Sequence, residues 1–263
     1  MSTVINTLKE FGNAVETLLA LPSDTRWYRG IGNVAYELRP SLFRHPAIAT
    51  KKPLDLEQQL IIRFRQRSIP YLSQRIDDDW ELLFLMQHHG VPTRLLDWTE
   101  NPYIALYFAL TSCRKDPLTG TYPDCSIWSL DPIAWNRSVL DHISYTDGVL
   151  VTPDERLNAH KPGVKENVFS KKPVAMYGSY NSPRIVAQRG TFMVFGSDLH
   201  PMETVKDNTT SISDAVLSKL LIPGNRVAGV LKALTSIGYT DSVIFPDLDG
   251  LAREIKRGFG FEG

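Results

Sequence analysis

The chain has little cysteine, no long apolar run and no excess of either charge. Two cysteines in 263 residues, Cys113 and Cys125, cannot make a disulfide framework or a four-ligand zinc site. No apolar stretch approaches the ~20 residues that a membrane-spanning helix needs. Lys plus Arg number 29 and Asp plus Glu number 29, so the net charge is zero. That excludes a strongly basic protein whose affinity comes mainly from phosphate neutralisation, and leaves room for a local basic patch. The opening stretch MSTVINTLKEFGNAVETLLAL holds Lys9, Glu10 and Glu16 within its apolar pattern, where a signal peptide stays uncharged. The expectation is a soluble, cytoplasmic protein in a reducing compartment, with no membrane partner. The G-x-x-x-x-G-K-[ST] phosphate loop and the G-x-S-x-G nucleophile elbow are also missing.

What is present is enough for an ordinary core. Hydrophobic residues are 43% and charged residues 22% of the chain, which argues against wholesale disorder. Val4, Ile5, Leu8, Phe11, Val15, Leu18 and Leu19 recur at helical spacing and predict an amphipathic helix over residues 1–22. Trp27-Tyr28 leads into Arg29-Gly30 as a strand end. Leu54, Leu56, Leu60, Ile61 and Phe64 mark a second helix, with Arg63, Arg65 and Arg67 on its solvated face. A third begins at Asp78 or Asp79 and stops at Gly90. VPTRLLDWT reads as extended. Asn101-Pro102 then opens a helix that is apolar nearly all round, hence buried.

Residues 126–130 alternate like a strand, and 136–182 read as an insertion with long loops. RIVAQRGTFMVFGS (184–197) predicts two β-type runs around Arg189-Gly190. Residues 217–223 read as a short strand or helix, Asn225 to Ile237 as a helix closed by Gly238, SVIFP (242–246) as a strand and Leu248 to Lys256 as a last helix. Strands scattered among helices without regular alternation favour α+β over a doubly wound sheet. The domain reading is one unit over 1–263: the N-terminal helix 1–22, a motif-bearing half 24–113, insertion-rich loops 114–183 and a C-terminal half 184–256.

Three clusters could carry chemistry. The densest runs from Gln87 to Thr99 and includes His88, His89, Arg94 and Asp97. It is read either structurally, as an Arg94–Asp97 ion pair with Thr99 capping the next helix, or as a site, with His89 aimed into a crevice by the Gly90-Val91-Pro92 turn. The second cluster is Tyr28-Arg29-Gly30, where an arginine at a strand end suits a phosphate and the glycine admits close approach. The third is Pro246-Asp247-Leu248-Asp249-Gly250, where Asp249 either caps the last helix or joins the site. A metal centre of these acids with His88 and His89 is not expected, since adjacent histidines on a helix face different ways. The cysteines have nothing nearby to depress their pKa, so a thiol nucleophile is not expected.

Tyr28-Arg29-Gly30, Leu38-Arg39-Pro40-Ser41-Leu42-Phe43-Arg44, MQHHGVPTRLLDWTENPYIALYFA, RIVAQRGTF and IFPDLDGLA occur in this order. Together they resemble the FRG domain, a family of mostly bacterial proteins named for its [FY]RG motif, over residues 24–256. A more distant similarity is to ADP-ribosyltransferases, whose first strand ends in arginine. It implies a small split or mixed sheet with flanking helices and an ADP-ribosyltransferase-like core. It also implies NAD as substrate, with Arg29 on the pyrophosphate, Gly30 at the nicotinamide, and Tyr28, Arg94, Thr99 and Gln188 among the binding residues. The glutamate those enzymes use to stabilise the developing cation is missing before Gly190-Thr191-Phe192. Gln188 or Arg184 stands in that neighbourhood.

The function this resemblance implies is transfer of ADP-ribose from NAD to a protein or nucleic-acid acceptor, as a toxin or phage-defence effector. The catalytic candidates are Arg29, His89, Asp97 and Asp249, with one carboxylate replacing the missing glutamate and no metal. Two alternatives stay open: a nuclease or hydrolase built on His89, Arg94, Asp97 and Asp249, and a non-catalytic module that binds a nucleotide or a partner. The oligomeric state is open.

Overall fold

The computed structural model describes residues 3–46, 48, 52–164, 171–179 and 182–261. In chain order the elements are β1 (Thr3–Val4), α1 (Leu8–Leu19), β2 (Trp27–Ile31), α2 (Pro53–Ser68), α3 (Asp79–His88), β3 (Leu95–Thr99) and α4 (Pro102–Ser112). There follow β4 (Cys125–Leu130), α5 (Pro132–Val139), β5 (Leu150–Val151), β6 (Val174–Tyr177), α6 (Pro183–Gln188), β7 (Gly190–Val194) and α7 (Met202–Asp207). The chain closes with β8 (Leu217–Ile222), α8 (Val227–Ser236), α9 (Asp241–Ile244) and α10 (Leu248–Gly258). One open, mixed sheet of eight strands, in the order β1-β8-β4-β2-β3-β7-β6-β5, carries helices on both faces. The α+β reading with flanking helices therefore holds. No helix among the described residues is long and apolar enough to cross a membrane.

The sheet is split in the middle. β2 pairs with β4 along its whole length, Trp27↔Leu130 to Ile31↔Ser126, and β3 pairs with β7 from Leu95↔Val194 to Thr99↔Gly190. Between β2 and β3 the register holds at one point only, Tyr28↔Thr99. Beyond that point the two strands diverge, so their polar edges border a cleft instead of a continuous ladder.

Local signals explain most of the helices. Asn101 caps α4 by accepting from Tyr103 N at 2.9 Å, with Pro102 at the first position. Asp78 caps α3 by accepting from Glu81 N at 2.9 Å, and Gly90 leaves the helix at φ +74°. α4 is buried because it lies directly on β2. A Cβ on Gly30 would stand 1.9 Å from the Ala105 carbonyl oxygen and 2.5 Å from Ala109 N, so only glycine admits the helix at this distance. The glycine of the Arg-Gly pair thus serves helix–strand packing.

Several elements differ from the sequence reading. Residues 184–188 form α6 and not a strand: Ser182 accepts from Ile185 N at 3.3 Å and Pro183 follows, a start signal that outweighs the β-branched Ile185 and Val186. Residues 242–246 are not a strand either. α9 turns there so that Asp241 can accept the Tyr107 hydroxyl and, from Arg257, bonds at 2.8 and 3.1 Å. Val4 pairs with Leu221 in β1, and α1 starts only after Thr7, which accepts from Glu10 N at 3.1 Å. The stretch 136–182 supplies β5 and β6 to the sheet edge, Leu150↔Met176 and Val174↔Val194 being in register. Residues 217–223, open between strand and helix, form β8.

The core holds a costly ion pair. Arg94 is 1% and Glu57 2% exposed, and they pair at 2.9 Å. Arg94 also donates to the main-chain carbonyls of Phe195, at 3.3 Å, and His160. Two buried charges are tolerable only when paired and bonded in this way. Burial pushes the Glu57 carboxyl up and pulls the Arg94 guanidinium down, and their attraction opposes both shifts.

Candidate functional site

The split in the sheet opens into a cavity of about 310 Å³, at the lower end of small-molecule sites. β2, β3 and β7 form its floor, and α3, α4 and α6 its walls. Arg29 stands on one lip and donates to the main-chain carbonyl of Asp97 on the other. Burial pulls the Arg29 guanidinium down to about 10, Asp97 opposes that and Arg44 reinforces it. At neutral pH it remains a cation.

Asp97 faces its strand partner Phe192 and presents its carboxylate to the opening. Gln87 of α3 holds that carboxylate with a 2.7 Å bond from Nε2, and Thr93 donates in turn to the Gln87 oxygen. Thr93 is fully buried and also takes Leu95 N at 3.1 Å, so the chain Thr93–Gln87–Asp97 fixes the carboxylate from the core side. Arg184, at the start of α6, brings a second cation. Burial lowers its guanidinium, Asp97 and Asp247 raise it, and Arg253 lowers it. Phe245 lies between the two arginines, 4.8 Å from Arg184 and 4.0 Å from Arg253.

His88, one α3 turn beyond Phe84, completes that wall. Its imidazole sits below the ordinary range, first through burial, then through Arg184 and His89, with Asp247 opposing. It is therefore neutral at pH 7. Phe84 and Phe192 lie 5.0 Å apart and give the cavity an apolar side. Four lining residues each carry a buried polar atom with no partner among the described residues: Tyr28 Oη, Arg29 Nε, Trp98 Nε1 and Thr191 Oγ1. Buried donors of this kind are costly unless something bonds to them.

Of the residues singled out by sequence, Tyr28, Arg29, Gly30, Asp97, Thr99 and Gln188 line this one cavity. Thr99 and Gln188 are, like Arg29 and Asp97, already bonded within the fold. Thr99 Oγ1 donates to the Gln188 carbonyl at 2.6 Å and accepts from Asn101 N at 3.0 Å. Gln188 Nε2 donates to the Ile244 carbonyl at 3.1 Å. Thr99 is therefore not the cap of α4. Arg94, expected to bind the cofactor, is a core strut paired with Glu57 and not with Asp97. His89 caps the end of α3 beside His88, with ring centroids 4.9 Å apart, but does not line the cavity. Asp249 is exposed on the first turn of α10, while Asp247 caps that helix by accepting from Gly250 N at 2.7 Å.

Sequence reasoning passed over Gln87, His88 and Arg184 as working residues. A helical signal was there for α3: Phe84, Gln87 and His88 share one face at i, i+3 and i+4, and His89 does not. Arg184 was noted only for standing near the position of the missing glutamate, and its place in the cavity depends on α6 being a helix. Among the described residues no three His, Cys, Asp or Glu side chains gather to hold a metal ion. Cys113 and Cys125 are buried, and burial pushes the Cys113 thiol up and the Cys125 thiol up to about 12.

Residues 24–117 match the FRG domain. The match covers β2 to α4, hence Arg29, Gln87, His88 and Asp97, and ends before α6 and β7, which complete the cavity. No curated protein and no solved structure matches the chain. The similarity to ADP-ribosyltransferases has no counterpart among these matches.

Proposed function

We propose that the cleft binds NAD and transfers ADP-ribose to a macromolecular acceptor. The carrying observation is the placement of one carboxylate, Asp97, between two cations, Arg29 and Arg184, at the mouth of a split sheet. Two arginines suit a diphosphate, which takes charge-assisted bonds from each. The ring pair Phe84 and Phe192 offers a flat apolar surface to the nicotinamide. The unpartnered Tyr28 Oη and Trp98 Nε1 supply donors for a ribose or an amide.

In this reading the bond from the ribose C1′ to the nicotinamide nitrogen breaks, and its electron pair leaves with nicotinamide, cancelling the ring charge. Asp97 stabilises the cation developing at C1′, the role of the missing glutamate. An acceptor oxygen or nitrogen then bonds to C1′ and releases a proton, with neutral His88 on the wall as the base at hand. The setting is the cytoplasm, where NAD is at hand, and the role that of a toxin or defence effector.

The nuclease alternative loses its footing, because of His89, Arg94, Asp97 and Asp249 only Asp97 lines the cavity. The test is NAD labelled in the adenylate, incubated with purified protein and cell extract, with nicotinamide read by chromatography. Label in macromolecules together with free nicotinamide is expected. A folded protein that produces neither overturns the proposal, and saturable NAD binding without turnover assigns the cleft to a binding module.

A further inference from the structure

α10 is docked inside out. Its inward face is polar. Arg257 bonds to Asp241, Glu254 accepts from Ser242 N at 2.9 Å and Arg253 covers Phe245. Gly250 lets the helix close on α9, since a Cβ there would stand 1.9 Å from the Phe245 carbonyl oxygen. Its outward face is apolar. Leu248 is 81%, Leu251 45% and Ile255 52% exposed, and Phe259 just beyond the helix 78%. These residues fall at i, i+3, i+7 and i+11, one continuous stripe. Val243 of α9 and Phe261 are exposed as well. Scattered surface leucines are ordinary, whereas an aligned stripe on a helix that turns its charges inward marks an interaction surface.

We infer that this stripe pairs with the α10 of a second copy of the chain, antiparallel. The exposed charge along the helix is self-complementary: Asp249 stands in its first turn and Lys256 in its last. An antiparallel register that sets Leu251 on Ile255 of a second copy brings Asp249 to within a turn of Lys256 of that copy, twice by symmetry. The helix dipoles also oppose. Zero net charge lets two copies approach without repulsion. A lipid surface suits the helix less well, because a membrane-lying helix turns its basic residues to the headgroups, and here Arg253 and Arg257 point into the protein. One helix of 11 residues is a small contact, so the dimer belongs to the weak class that forms in the micromolar range.

Sedimentation velocity of the full chain from ~1 μM to several hundred μM tests this. A concentration-dependent monomer–dimer equilibrium is expected, weakened at least tenfold by Leu251→Asp with unchanged circular dichroism, since Leu251 makes no core contact. Asp249→Lys weakens the dimer by setting lysine against Lys256, and Asp249→Lys with Lys256→Glu restores it. A monomer at every concentration overturns the inference. So does a dimer indifferent to Leu251→Asp, or binding to phosphatidylserine vesicles without self-association.

Discussion

Arg29 and Asp97 hold the two lips of the split sheet together: the guanidinium of one donates to the main-chain carbonyl of the other, 68 residues further along the chain. The bond leaves the Asp97 carboxylate to Gln87 and the Arg29 Nε without a partner among the described residues. A side-chain bridge thus stands where strand pairing stops, and the same two residues supply the opposite charges of the site.

Arg29→Ala removes this bridge and the cation proposed to hold the diphosphate. NAD affinity is expected to fall about 10–100-fold, the value of one charge-assisted hydrogen bond at ~1.5–3 kcal/mol. Arg29→Lys should recover less than half of that free energy, because an ammonium cannot serve a carbonyl and a phosphate as a planar fork does. Calorimetric titration with NAD measures both, and equal binding by Arg29→Ala and the parent chain removes Arg29 from the site.

Asp97→Asn keeps the contact from Gln87, since an amide oxygen still accepts, and removes only the charge. Nicotinamide release is expected to slow by ~10²–10³ in kcat with KM changed by less than about threefold, the pattern of lost transition-state stabilisation. A variant with unaltered kcat shows that no charge at Asp97 is needed.

Gly30→Ala forces a methyl into the backbone of α4, 1.9 Å from the Ala105 carbonyl oxygen. Neither the strand nor the buried helix can give way cheaply. A loss of about 3 kcal/mol or more in urea-melt stability is expected, at the upper end of overpacking costs. A melt within 0.5 kcal/mol of the parent, roughly the scatter of surface substitutions, contradicts the tight contact.

His160 ties its ring Nε2 to the Lys172 carbonyl at 3.1 Å and is 1% exposed. Burial pulls its imidazole down to about 4, the Lys172 bond opposes this and the nearby Arg94 adds to it. The unfolded chain takes up a proton near pH 6.5, and the folded chain resists until about 4. The unfolded state therefore binds more protons in that window, and stability is lost as pH falls through it. Between pH 7 and pH 5 this group alone should remove about 2 kcal/mol. Urea midpoints at the two pH values measure it. His160→Gln should flatten that part of the slope, and an unchanged slope assigns the loss to other groups.

Much of the local structure was legible in the residues themselves. Asn101-Pro102, Asp78 and Gly90 state where helices begin and end, because a cap satisfies orphan backbone groups within one turn. The misread stretches are those where a long-range partner decides. Residues 242–246 are rich in β-formers, yet Asp241 is held by Arg257 and Tyr107 and the segment turns as a helix. The Arg94–Asp97 ion pair that the sequence offered does not form, since residues three apart in an extended segment point to opposite faces, and Arg94 pairs with Glu57. That Arg94 goes to Glu57 could not be read, because their approach depends on how α2 lies over the sheet.

The sequence by itself determined the mixed α+β class, the buried central helix and the extended course of the Arg29 and Asp97 segments, because propensity, capping and periodicity act over a few residues. Tertiary structure alone decided that β2 and β3 part after a single pairing, that Arg184 and His88 join the cleft while Arg94, His89 and Asp249 do not, and that α10 turns its apolar stripe outward. Those outcomes rest on packing and charge burial between segments far apart in the chain, where the gain of one contact depends on all the others.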